Sequence, residues 1–394
     1  MSSPARSRTR PSAAALASIG LVAATLTVAS APAHASNDEY VFGSSTSVTL
    51  TGKGFGHGRG MSQYGAEGAA RAGHSHQEIL DFYYAGTEIG RAGGRIRVLL
   101  TAATHKNLVV RARSHLRVRD LAAGVHRLPD NGAGRWRLVP LANGRTRVDF
   151  RRGGSWHRWK RLSGGGQFTA GGRPIMLRTP AGMRPYRGVL RSSSGQTINV
   201  LGLQAYLRGV VPREMPASWS QAALRAQTVA ARTYAANAMR HPRGNHDICD
   251  TTACQVYGGF SAHHPSTNAA VRATKGEIRV HNGAPAFTQY SSSNGGHAAP
   301  GTVPYQVGKA DSFDGVAINP NHDWTVSIAR PAVRAAWPGL GRPQRIIVTR
   351  RDGEGQWGGR VVEVRLVGDQ GSRTVTGHDF RMVLGLRSTY FAFG

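Results

Sequence analysis

The sequence predicts an α+β fold, a β-rich platform of short strands that carries one long alanine-rich helix and smaller helices. Three observations lead there. Between Arg95 and about Leu203 the chain is a succession of short, often alternating runs, among them RIRVLLTA, NLVVRARS, RWRLVPL and TRVDFRR, punctuated by Gly, Asn and Asp. Alternation with such punctuation is the pattern of half-buried strands joined by turns. The next stretch, ASWSQAALRAQTVAARTYAANAMR, has no internal Gly or Pro and is full of alanine, the best helix former. Strand-like runs then return in GEIRVHNG, RIIVTRR, GRVVEVRLVG and RTVTG.

Taken in order, residues 1–35 read as a secretory signal peptide. Arg6, Arg8 and Arg10 make a positive start, an alanine-rich apolar run follows, and Ala33-His34-Ala35 is a small-residue cleavage pattern. No later stretch has enough consecutive apolar residues to span a bilayer, so the expected location is secreted, extracellular or cell-wall associated. Residues 40–92 hold a short strand, SVTLTG, a glycine-rich stretch, and a helical run in HSHQEILDFYYAGTEIG for which Gly86 is a stop. This segment is expected to pack onto a main domain spanning 93–394, with the core of the site at about 200–330. In that domain the long helix is expected from Trp219 to Arg240, with Ser218 as N-cap, Gln221 completing a capping box and Pro216 just before it. NAAVRATKG reads as a shorter helix.

The chain has 50 Lys and Arg against 21 Asp and Glu. Three of the basic residues fall in the first 35, leaving 47 against 21, an excess of +26. Such an excess invites a polyanion. Export and the lack of any nucleic-acid motif argue against nucleic acid and for anionic wall polymers. Only Lys53, Lys106, Lys160, Lys275 and Lys309 are lysines, so a GC-rich genome explains part of the arginine.

Four stretches carry candidate chemistry. In GVVPREMPASW, Glu214 stands among Val, Pro, Met and Trp. A carboxyl in apolar surroundings is costly to ionise and stays protonated to higher pH, as a general acid requires; a surface acid near a helix N-terminus is the plainer reading. In GHGRGMSQYGA, glycines flank His57, Ser62 and Gln63 and allow close backbone approach; a tight turn around a buried histidine explains the same residues. In CDTTACQVYGG, Cys249 and Cys254 suit a short disulfide outside the cell. His246 with Cys249 and Cys254 makes a weak zinc set, and zinc is the one cofactor left open. In QYSSSNGGHA, Tyr290, Ser291 and Ser292 offer hydroxyls to a sugar or form a polar turn. No Gly-x-Ser-x-Gly elbow accompanies them.

Together these stretches, with YLRGVVPREMPASWSQAALRAQTVAARTYA and the terminal GHDFRMVLGLRSTYF, resemble the stage II sporulation protein D family, which includes the amidase enhancer LytB. The resemblance covers nearly all of the chain after residue 35. The resemblance implies a peptidoglycan lytic transglycosylase. It would cut the β-1,4 bond between N-acetylmuramic acid and N-acetylglucosamine, leave 1,6-anhydro ends, and prefer glycan strands stripped of peptide by an N-acetylmuramoyl-L-alanine amidase. It makes Glu214 the catalytic acid. Gln227 and Arg232 would orient it or bind acetamido groups, Gln255, Tyr257, Tyr290, Ser291 and Ser292 would line the sugar groove, and His57, Ser62 and Gln63 would form the opposite wall; a purely structural role is the competing reading for each, and for Arg232 in particular that of bracing the helix. The alternative is a non-catalytic wall-binding enhancer of an amidase. Many members carry the Gly-His-Gly segment after the LRSTYF-like segment, whereas here it comes first, as in a circular permutation. Residues near Tyr40 and Gly394 are therefore expected to be neighbours.

Overall fold

The alternating runs after Arg95 form two sheets in the computed structural model, which describes residues 38–103 and 107–394. The proposed signal peptide lies outside the described residues. One sheet has six antiparallel strands, in spatial order 155–162, 146–152, 135–140, 108–111, 175–179 and 182–186. The other has seven, in the order 248–249, 95–99, 196–202, 189–193, 166–169, 117–120 and 124–127. Period-two patterning puts Val110, Trp136, Leu138, Val148 and Leu177 of the first sheet and Ile96, Val98, Val118, Phe168 and Leu190 of the second into one buried cluster.

Seven α-helices occur among the described residues: α1 (Gln63–Arg71), α2 (His76–Tyr83), α3 (Leu203–Glu214), α4 (Gln221–Arg240), α5 (Pro265–Ala273), α6 (Arg330–Ala336) and α7 (Gly377–Leu384). The long helix α4 is where expected but starts two residues later, and its cap differs. Ser218 is exposed. The N-cap is Ser220, which makes no side-chain cap of its own. Instead the buried Glu67 of α1 accepts the Ser220 N–H at 2.9 Å and its hydroxyl at 3.2 Å, and Gln221 turns to Ser266. A carboxylate from another element thus does the work expected of a local capping box.

Alanines let α1 and α2 lie close on α4, with Ala66, Ile79, Leu80, Tyr84, Leu224 and Val229 in the shared core. A third core lies between the sheet of strands 38–41, 343–351, 361–368 and 371–376 and the sheet of strands 323–329, 47–53 and 391–393, with Leu50, Ile346, Val364, Phe380 and Phe391 inside. There the rings of Tyr40 and Phe393 are 5.8 Å apart and the Gly394 N–H donates to the Thr49 carbonyl at 3.1 Å. Residues 40 and 394 do adjoin.

Candidate active site

Helix α3 runs into Glu214 as its last residue, and Pro212 does not stop it before then. Gly209, one turn earlier, is what brings the opposite wall in. A Cβ there would lie 2.5 Å from the Tyr257 ring and 2.8 Å from the Gly259 carbonyl, so only glycine lets the Gly258 N–H reach the Gly209 carbonyl at 2.9 Å. The same approach aims the Val256 N–H at Glu214 Oε1, 2.8 Å away.

The second wall is built by the glycine-rich stretch. Tyr290–Ser291 pairs in parallel with Met61–Ser62, and Phe55 bridges Ser293. At Gly60, φ is +64° and a Cβ would lie 2.1 Å from the Gln289 carbonyl, so a side chain at this position would break the pairing.

Glu214 therefore opens on a cavity of about 230 Å³ with His57, Gln63, Tyr290, Ser291 and Ser292 around it. Tyr234, Thr252, Ala253, Cys254, Val256 and Gln289 complete the lining, and Glu214 is its only carboxylate among the described residues. Burial pushes the Glu214 carboxyl up to about 7, against the opposing pull of the Val256 N–H, the side chains of Gln63 and Tyr290, and the charge of Arg213. Such a group is protonated in a good fraction of molecules near neutrality and can donate a proton.

Behind the cavity, Gln255 fixes Tyr290. Its amide nitrogen donates to the Ala231 carbonyl at 3.1 Å and the Tyr290 hydroxyl at 3.0 Å, while its oxygen accepts from Tyr206 at 3.1 Å. Gln63 is backed by Gln227, whose Oε1 accepts its amide at 3.4 Å. His57 sits at the cavity mouth with one edge open to solvent. The mass of protein around it lowers its pKa to about 4, helped by the charges of Arg59, Arg360 and Arg381. Its Nδ1 accepts the Arg59 N–H at 3.0 Å, which leaves the proton of the neutral ring on Nε2.

Residues 191–281 match the family described as "Stage II sporulation protein". The amidase enhancer of Bacillus subtilis (strain 168) is 44% identical over 130 residues, 32% of this chain and 17% of that one. Stage II sporulation protein D of the same strain is 50% identical over 143 residues, 32% of this chain and 40% of that one. The protein of that name from Bacillus amyloliquefaciens is 28% identical over 145 residues, 33% of this chain and 41% of that one. The chain carries a SpoIID/LytB domain. It spans less than half the length of each of these relatives.

The SpoIID/LytB match includes Glu214, Gln227, Arg232, both cysteines, Gln255 and Tyr257, whereas His57, Ser62, Gln63 and Tyr290 to Ser292 lie outside it. Not all of these residues meet at the cavity. Arg232 is fully buried and donates to the Glu277 carbonyl at 2.8 Å and to Gln204 Oε1 at 3.0 Å; it braces α4 and is walled off from any sugar. Ser62 is also fully buried. It caps α1 through the Gly65 N–H and donates to Asp314 Oδ1 at 2.5 Å, so it is no part of the wall. Gln227 and Gln255 support wall residues from behind. Tyr257 donates to Asn199 Oδ1 at 2.9 Å and faces a neighbouring depression.

Cys249 and Cys254 are joined as a disulfide, which leaves no thiolate for the zinc set proposed with His246. His246 itself bonds Asn245. The loop between the sulfurs supplies Thr252 and Ala253 to the cavity. The two other acids near Glu214 in sequence are engaged elsewhere. Asp247 pairs with Arg97 at 2.6 Å, and Asp250 accepts the Thr101 N–H and hydroxyl at 3.0 and 2.7 Å.

Sequence reading missed Tyr234 and Gln289, which reach the cavity only through the register of α4 and the pairing of residue 290 with residue 61. It also missed the buried Asp314 behind Ser62 and its half-buried partner His322. Asp314 accepts from Ser62, Ser293, the Asn294 and Gly295 N–H groups, Asn319 and His322. The acids in DSFDG and the histidine in NPNHDW were the available signal.

Proposed function

We propose that this protein is a lytic transglycosylase of peptidoglycan, with Glu214 as acid and then base. The observation that carries the reading is a single carboxyl in the cavity, with its pKa raised to about 7. Hydrolysis of a glycoside ordinarily needs two carboxyl groups, one to protonate the leaving oxygen and one to activate water or form a glycosyl-enzyme. One carboxyl suffices when the substrate supplies its own nucleophile.

In this reading Glu214 protonates the oxygen between muramic acid C1 and glucosamine C4 as that C1–O bond breaks. The muramic 6-hydroxyl oxygen then bonds to C1, and its proton passes to the Glu214 carboxylate. This restores the acid and leaves a 1,6-anhydro end. The intramolecular hydroxyl gains its advantage from proximity. Tyr290 and Gln63 share the cavity wall with the carboxyl and favour its charged form, while the Val256 N–H holds it in place. Neutral His57 and the hydroxyls of Ser291 and Ser292 are suited to bind sugar hydroxyl and acetamido groups.

The expected substrate is glycan stripped of stem peptides, and the expected setting is the cell wall. No helix of the described residues is long and apolar enough to cross a membrane. A second reading, a non-catalytic wall binder that aids an amidase, is favoured by the relative named amidase enhancer.

Glycan strands with and without stem peptides, incubated with residues 36–394 and with the Glu214→Gln variant, separate the two by mass spectrometry of the products. Anhydro ends from the wild type alone support the transglycosylase. Reducing ends point to hydrolysis. Binding without cleavage by both proteins supports the enhancer.

A further inference from the structure

The Glu214 cavity does not end at its own walls. Val256 is shared with a second depression of about 450 Å³, which has Arg184 and Arg213 on its rim. That depression shares Ala102 and Thr179 with a third of about 420 Å³, where Val109, Arg137, Trp156 and Arg178 stand on the six-stranded sheet. Each depression thus borders the next, and together they mark out a track from the catalytic acid onto the β sandwich.

The track is cationic by construction. Residues 107–190 hold 18 basic residues and 3 acids, a net of +15, while the rest of residues 36–394 hold 29 and 18, a net of +11. A genome's preference for arginine codons replaces lysine with arginine; it does not strip acids from one module. Two of the three acids there are occupied. Asp120 accepts the N–H groups of Ala122, Ser163 and Gly164, and Asp149 is gripped by Arg137 and Arg147 at 2.7 and 2.8 Å.

Along the track, Arg178, Arg184 and Arg213 are exposed and form no ion pair among the described residues. Arg137 is fixed between Asp149 and the Trp156 ring, 4.2 Å from its centroid, so little side-chain freedom remains to be lost on binding. Asp250, on the wall of the second depression, is taken up by Thr101.

We propose that this arginine track is an extended glycan subsite that reads the lactyl carboxylates of peptide-free muramic acid. The proposal rests on the glycan-cleaving function above and names how that site selects its substrate. When a stem peptide is attached, each lactyl carboxyl is a neutral amide. Removal of the peptide frees a carboxylate on every second sugar. A guanidinium bonds a carboxylate through two charge-assisted hydrogen bonds, a contact the amide cannot supply. The track therefore turns the absence of a peptide into a positive signal.

The test is equilibrium binding of the full chain carrying Glu214→Gln, which cannot consume the ligand. Three probes are compared: peptide-free glycan oligomers, the same oligomers with their lactyl carboxyls converted to methylamides, and poly(glycerol phosphate). Arg178→Ala with Arg184→Ala, added to Glu214→Gln, is expected to weaken binding of the free-carboxylate glycan about tenfold at low salt. The loss should shrink as salt rises and be absent for the methylamide. Both arginines are exposed and unpaired, so an unchanged melting temperature checks the fold.

Equal affinity for carboxylate and methylamide glycan, no effect of the double substitution, or no glycan binding at all overturns the proposal. So does poly(glycerol phosphate) binding as tightly with the same arginine dependence, which marks a general polyanion surface. Product analysis of the wild type is read separately. Anhydro ends with arginine-independent binding leave the enzyme standing and remove the track. Arginine-dependent, carboxylate-selective binding without anhydro ends keeps the track and removes the enzyme.

Discussion

Gly209 and Val256 act as a unit: the glycine accepts the N–H of Gly258, and that contact presents the Val256 N–H to Glu214 at 2.8 Å. A carboxyl held this way has its position fixed by backbone, and the same N–H pulls its pKa down against the dominant effect of burial. The fold therefore tunes the acid through a residue with no side chain.

Gly209→Ala is accordingly expected to damage the site more than the fold. The added methyl must displace Tyr257 or the Gly259 carbonyl, at a cost of roughly 1–3 kcal/mol for overpacking. With the Val256 hydrogen bond lost, one influence that lowers the Glu214 pKa disappears. The alkaline limb of the pH–rate profile should move to higher pH while kcat falls. A profile with an unmoved limb would mean that Val256 does not tune the acid.

The raised Glu214 pKa carries a stability consequence with a definite sign. The folded carboxyl titrates at about 7 rather than its ordinary value of about 4.5, so the native state holds more protons than the unfolded state between those values. Stability therefore falls as pH rises through that window. Glu214→Gln removes the effect. The variant should be more stable than wild type above pH 7, by about 2 kcal/mol after allowance for the open cavity, and the gap should close toward pH 4.5. Urea unfolding at several pH values measures it. In the same window, wild-type activity should fall as pH rises past about 7, as the acid loses its proton.

Tyr290→Phe separates positioning from proton transfer. The phenol is fixed by Gln255 and is one of the groups that lower the acid's pKa, so its loss removes that influence. The expected result is a kcat about tenfold lower, with the alkaline limb displaced upward and KM little changed. A loss confined to KM would instead assign the hydroxyl to substrate binding.

Much of this was legible from sequence, for reasons that also explain what was not. Glu214 stood out because an acid among Val, Pro, Met and Trp is unusual in so basic a chain. Yet those neighbours are not what buries it: Trp219 packs on Tyr64, 4.9 Å between rings, and the cavity walls come from His57, Gln63, Tyr234, residues 252–254, Val256 and residues 289–292. Helix α3 contains Gly209 and Pro212, residue types that ordinarily weaken or break a helix. Pro212 is tolerated in the last turn, and Gly209 is there for Tyr257. Ser62 and Arg232 carry groups that bind sugars in general, and nothing local tells a side chain that caps a helix or braces one from a side chain that meets a ligand. That distinction exists only after tertiary packing.

The pair of Asp314 and His322 gives a last prediction, one that tests whether the wall behind the cavity is held by charge. His322 Nδ1 lies 2.8 Å from Asp314 Oδ2. The hydrogen bond to Asp314 raises the histidine pKa above its ordinary value. Burial works to raise the Asp314 pKa, but His322, Ser62, Ser293 and the Asn294 N–H hold it below the usual range. For a group whose folded pKa is raised, the stabilisation is complete below the unfolded value, about 6.5, and is lost as pH rises through the folded one. His322→Gln should therefore cost most stability at pH 5–6 and progressively less above. Because Glu214 titrates in part of the same range, the comparison belongs in a Glu214→Gln background. A stability loss independent of pH there would show that His322 serves the wall by shape and hydrogen bonding alone, with no contribution from its charge.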